Sequence, residues 1–135
     1  MPRLSIWLIR AALLYLLLGF TIGALILIQK GTNLFPEVWQ LLPLHIETLL
    51  FGWTLQLIMG TAFWILPRFA QEPKRGNEKL VGGAFVLLNL GLGFVVGSVV
   101  FPDASWLFFL GRLAELAGVG AFVVNAWPRV KSFGP

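Results

Sequence analysis

Apolar residues in this chain fall into four long runs, over residues 6–28, 43–66, 80–101 and 105–127, separated by short polar segments. A helix needs about 20 mostly apolar residues to cross the hydrocarbon layer at 1.5 Å rise per residue. One such run could be a core helix of a large soluble protein, but four in 135 residues could not. Backbone polar groups in lipid must be satisfied within their own segment, so the runs predict helices rather than strands. The expected fold is an all-α integral membrane bundle of four transmembrane helices, forming one domain over residues 1–135.

Composition agrees. The chain is 58% apolar and 12% charged, against about 45–50% and 25% for an ordinary soluble domain. Disorder is excluded by the abundance of apolar and aromatic residues, and a multidomain enzyme by length. The absence of cysteine removes disulfides, thiolate metal sites and cysteine nucleophiles. One histidine remains.

The net charge of +4 carries an orientation. Arg3, Arg10, Arg68, Lys74, Arg75, Lys79, Arg129 and Lys131 gather at one set of span ends, whereas Lys30, Glu37 and Asp103 mark the other. Short-loop Lys/Arg bias predicts that both termini and the loop 67–78 are cytoplasmic, with the chain multi-pass in the cell inner (plasma) membrane. These basic residues are spread over span ends instead of a folded face, which speaks against nucleic acid; attraction to the lipid bilayer accounts for them. Trp7, Trp64 and Trp127 fall at the cytoplasmic edge and Trp39 and Trp106 at the outer edge, an interfacial belt, while Trp53 sits inside the second span. The first span is too long for a secretory signal and has no A-x-A site after it, so it reads as a retained anchor. The segment 35–42 is apolar enough to lie along the interface.

Small residues at four-residue spacing allow close helix approach. Gly19/Gly23, Gly93/Gly97, Ala114/Gly118 and Ala117/Ala121 offer such steps, expected to serve packing within the bundle, with a dimerisation seam as the alternative. Polar residues inside the spans are fewer. By helical rise, Glu47 lies about 6 Å below the outer start of its helix, and Arg112 and Glu115 about 10 and 15 Å below theirs. Arg112 can meet Glu47 across helices or Glu115 one turn away. Gln56 and Asn89 can hydrogen-bond across the bundle. The set reads as a structural charge and amide network; the competing reading, a proton path, would need polar groups reaching both sides, and the cytoplasmic half offers little beyond Arg10 and Asn125.

His45 lies near the outer boundary. It is either an interfacial, hydrogen-bonded histidine or an axial ligand to haem iron, for which one neutral imidazole suffices. On an α-helix His45, Gly52, Gln56, Met59 and Phe63 share a face while Glu47 points away. Gly52, one heptad below His45, leaves space for a flat macrocycle or for another helix.

The segment from His45 through Gly52-Trp53, Gln56, Gly60, Phe63 and Trp64 to Leu66-Pro67-Arg68 resembles the second helix of subunit I of the haem–copper oxidases, most closely the cbb3-type enzymes and their nitric-oxide-response relatives. The resemblance implies that His45 matches the histidine ligating the low-spin haem b, with Gly52 and Trp53 beside it in the cofactor-binding segment. It also implies that catalysis would need further histidines for the other axial ligand, the active-site haem and the copper, which this chain lacks. Gly111 to Glu115 and Asn125 to Arg129 are similar to short four-helix proteins carrying the same oxidase-like helix. The expected function is therefore non-enzymatic: an accessory subunit or assembly factor of a respiratory complex, with respiratory-complex subunits or a second copy of itself as partner. The alternative is a haem-b-binding electron-transfer protein with His45 as ligand to the haem iron. A transporter is the weaker third reading, since broken spans and repeats are lacking.

Overall fold

A computed structural model describes residues 1–130; the basic residue Lys131 lies outside them. All regular structure among these residues is helical, and the four predicted spans are four helices. They are α1 (Arg3–Thr32), α2 (Pro36–Ile65), α3 (Glu78–Val100) and α4 (Trp106–Ala126), the last followed by a 3-10 turn, Trp127–Arg129. Each is long and apolar enough to cross a membrane.

Helix ends follow local chemistry. Asn33 ends α1 in the left-handed conformation, φ 53°, and its N–H closes on the Gln29 carbonyl at 2.8 Å. Asparagine tolerates that region better than a bulky residue does. The Gln29 side-chain oxygen accepts from the Phe35 N–H, so one residue closes the turn twice. Of residues 35–42, Pro36–Leu41 form a 3-10 entry that runs directly into the α-helical turn starting at Leu42. Pro36 stands in its first turn, where the missing N–H costs nothing. Asn77 caps α3, accepting from the Lys79 N–H at 3.1 Å.

The chain folds as two hairpins, α1 with α2 and α3 with α4, with contacts of similar extent in each. Polarity is inverted relative to a soluble bundle. Gln56, Glu115, Asn125 and Arg129 are buried, whereas Leu14, Leu17, Leu27 and Leu116 are exposed, as expected where the surroundings are hydrocarbon. Leu8, Met59, Phe63, Val81, Ala84, Leu88 and Phe122 form the apolar core where the hairpins meet.

Two of the small-residue steps behave differently from one another. A Cβ on Gly19 would strike Leu49, and one on Gly23 would lie 2.6 Å from His45 Cε1; that step seats α1 on α2. Gly93, by contrast, has nothing within 4 Å, while a Cβ on Gly97 would lie 3.4 Å from Leu107 of α4, so only the Gly97 half of the Gly93/Gly97 step lies against a neighbouring helix. The close crossing is at Gly91 and Gly111, where a Cβ on either would lie 2.8 Å from the other's carbonyl oxygen. Two residues along a helix is about 200° of rotation, which turns Gly93 away from the contact that Gly91 makes.

The start of α1, the loop 66–77 and the end of α4 share one end of the bundle, the basic one. Arg129 lies across the C-terminus of α2 there, donating to the carbonyls of Phe63, Leu66 and Pro67 at 3.0, 2.8 and 3.1 Å. Carbonyls left without partners at a helix end are a natural seat for a cation.

Candidate functional site

The oxidase-like segment of α2 is not a plain α-helix. It is α-helical over Leu42–Glu47, π-helical over the eight residues Thr48–Leu55, and α-helical again over Gln56–Ile65. Hydrogen bonding at i→i+5 widens the turn, and such segments are frequent at functional sites. Thr54 Oγ1 donates to the Leu49 carbonyl at 2.9 Å and Thr48 Oγ1 to that of Leu44 at 2.9 Å. The extra residue per turn changes how side chains above and below the segment are aimed. His45 and Gly52 face α1, while Gln56 reaches α3.

His45 sits against the glycine face of α1. Its Nδ1 is 2.8 Å from the Gly19 carbonyl oxygen, and the ring lies over Gly23. A carbonyl oxygen can only accept, so Nδ1 carries the hydrogen, and in the neutral imidazole Nε2 holds the free lone pair. Beside the ring is a recess of about 430 Å³ whose lining includes Phe20, Gly23, Ala24, Leu42 and Leu49. It is apolar apart from His45. A backbone acceptor fixing one ring nitrogen is the usual support for a metal-ligating imidazole, and the recess falls in the size range of cofactor pockets. These residues fit a tetrapyrrole held by one imidazole.

Space at Gly52 is filled by another helix. A Cβ there would lie 2.5 Å from the Tyr15 ring of α1, so Gly52 serves the approach of α1 and Tyr15. Trp53 next to it is half-buried. Glu47 is turned away from His45, as its position on the helix predicted.

The intramembrane polar residues form two separate nodes. Arg112 of α4 reaches Glu47 of α2 through Nη1 and Nη2, at 2.8 and 2.7 Å, and its Nη1 also donates to Glu115 at 2.7 Å. Its guanidinium lies over the rings of Phe51 and Phe108, at 5.2 and 5.0 Å. Paired hydrogen bonds to one carboxylate fix orientation as well as distance, so this node sets the register of the α3–α4 hairpin against α2. The second node is centred on Asn89. Its Oδ1 accepts from Tyr15 at 3.0 Å and its Nδ2 donates to Gln56 Oε1 at 3.2 Å, joining α1, α2 and α3. Below it the apolar core of Leu8, Met59, Phe63, Leu88 and Phe122 intervenes before Asn125 and Arg129. Among the described residues no three His, Asp or Glu side chains come together to hold a metal ion.

Sequence reasoning missed Tyr15, Arg129 and the Gly91/Gly111 crossing. The first had a signal: it is the only tyrosine of the chain, and a hydroxyl within a span needs a partner. Arg129 had none, because basic residues at span ends are ordinary.

Comparison with curated proteins and with solved structures gives no match at a significant level. The model of one family, described as cytochrome c and quinol oxidase polypeptide I, matches residues 3–129. That match extends the likeness from α2 to all four helices, and the chain is a multi-pass membrane protein belonging to this family.

Proposed function

We propose that the chain is a non-catalytic member of the family, acting as an accessory subunit or assembly factor for a haem–copper oxidase-like respiratory complex in the cell inner (plasma) membrane, with both termini cytoplasmic. One observation carries this reading: a family match over residues 3–129 in a chain with a single histidine. One imidazole cannot supply ligands for two haems and a copper. The paired side chains of the Arg112 and Asn89 nodes support a structural role for the intramembrane polar residues over a conducting one. The test is deletion of the gene in its host, followed by measurement of assembled oxidase in membranes. A drop in the assembled complex, restored by the full chain, supports the reading; unchanged amount and activity overturn it.

A second reading is favoured by the Nδ1 contact of His45 with the Gly19 carbonyl. Here the chain holds haem b through His45 Nε2, with α1 residues Phe20, Gly23 and Ala24 against the macrocycle. The group would supply one-electron transfer when bound. The residues of the chain would bind and orient it: Gly19 fixes the tautomer of His45, and the apolar lining of the recess packs against the ring. Because the recess is open, a second copy or an oxidase subunit is the natural cover for its outer side. Expression with ample haem and an absorption spectrum of the purified protein test this reading; a Soret band lost in His45→Ala supports it, and no band sinks it.

A further inference from the structure

We propose that Arg68, Arg75 and Arg129 form an anion site at the basic end of the bundle, which takes a phosphate group and is filled by the headgroup of an anionic phospholipid. Arg129 is fully buried. Its neighbours are the carbonyls of Phe63, Leu66 and Pro67 and the ring of Phe63, at 5.2 Å. These carry partial charges only, and among the described residues its buried Nη1 has no partner. A buried charge with no counter-charge is costly. Arg68 and Arg75 bring further positive charge to the same place: Arg68 follows Pro67, whose carbonyl Arg129 holds, and the Arg75 carbonyl is held by Asn125, one turn before Arg129.

No carboxylate answers these three charges among the described residues. Glu72 pairs with Lys74 at 3.6 Å, and the only other ion pairs among the described residues are those of Arg112. The arrangement is held in place: Asn125 Nδ2 donates to the carbonyls of Arg75 and Asn77 at 3.3 and 3.0 Å, and the Phe69 N–H closes on the Lys74 carbonyl at 2.8 Å. Gly76, at φ 75°, lets the loop turn over Asn125. Arg75 is thereby fixed beside the end of α4, and its own Nε is buried without a partner. Next to it lies a recess of about 760 Å³ bearing Lys74, Arg75 and Lys79, with Glu72 and Glu78 also in its lining. Arginine forks match phosphate oxygens in shape as well as charge. The loop joins two spans, so the cluster stands at the level where lipid phosphates are found, and a phosphodiester there supplies the missing negative charge.

The test is thermal unfolding of the full chain in neutral detergent, followed by its helical signal, with added phosphatidylglycerol, phosphatidylcholine or inorganic phosphate. Phosphatidylglycerol is expected to raise the midpoint by several degrees and phosphatidylcholine by much less. Arg68→Gln/Arg75→Gln should lose most of that difference, Arg68→Lys/Arg75→Lys should keep part of it, and Lys74→Gln/Lys79→Gln should keep nearly all. Arg129 is left intact because it also caps α2. A rise of the same size with inorganic phosphate supports the anion site and assigns it to free phosphate. Equal effects of the two lipids with none from phosphate, or equal losses in the arginine and lysine variants, overturn the site.

Discussion

Arg112 on α4 and Glu47 on α2 are joined by two parallel hydrogen bonds of 2.8 and 2.7 Å, although 65 residues separate them in the chain. This one pair ties the two hairpins together within a span. Glu115 on the same arginine makes it a three-charge node.

Loss of one member should therefore cost more than loss of both. Removing one partner of a buried ion pair costs about 3–5 kcal/mol; the Arg112 side chain is 36% exposed, so Arg112→Met is expected near or below the lower end of that range. A double variant, Arg112→Met with Glu47→Gln, should recover part of the loss. Equilibrium unfolding in mixed micelles measures both, and strictly additive effects would argue against direct coupling.

The amide node predicts a smaller, graded response. Hydrogen bonds between membrane helices average about 0.6 kcal/mol, with a maximum near 1.7. Tyr15→Phe removes one bond to Asn89, whereas Asn89→Leu removes partners from Tyr15 and Gln56 together. The same unfolding assay should rank Asn89→Leu well above Tyr15→Phe. The reverse order would mean that the Tyr15 hydroxyl contributes more than Asn89 itself, and Asn89 would not be the centre of the node.

Two glycines two residues apart should respond oppositely to alanine. Gly91→Ala places a Cβ 2.8 Å from the Gly111 carbonyl and forces α3 and α4 apart, a cost of about 1–3 kcal/mol for overpacking. Gly93→Ala meets nothing within 4 Å and should be neutral or stabilising by up to about 1 kcal/mol from helix propensity. Paired unfolding curves of the two variants check this.

Gly23 offers a way to perturb His45 without removing it. A Cβ at Gly23 lies 2.6 Å from His45 Cε1, so Gly23→Ala must displace the ring and weaken the bond from Nδ1 to Gly19. If His45 holds haem, titration of the purified variant with haem should show clearly weaker binding than wild type, with helical content unchanged. Unchanged affinity would separate haem binding from this ring position.

The sequence by itself determined the class, the number of spans and the side of the bundle that carries the basic residues, because each rests on a local quantity. Twenty apolar residues cross a bilayer whatever their neighbours are. The pairing of Arg112 with Glu47 and Glu115, and of Gln56 with Asn89, was also legible, since so few polar groups in lipid leave few choices of partner.

Only the tertiary structure decided which glycines are contacts and where His45 is aimed. A helical period gives a face but not its neighbour, so Gly91 and Gly93 look alike in sequence and differ by about 200° of rotation in the bundle. The π-helical segment Thr48–Leu55 changes the turn between His45 and Gln56, which periodicity drawn at 3.6 residues cannot anticipate. Arg129 reads as one more orienting charge in the sequence, yet folding buries it on the end of α2. In each case the deciding quantity is which helix lies opposite, and that is set by packing of the whole bundle.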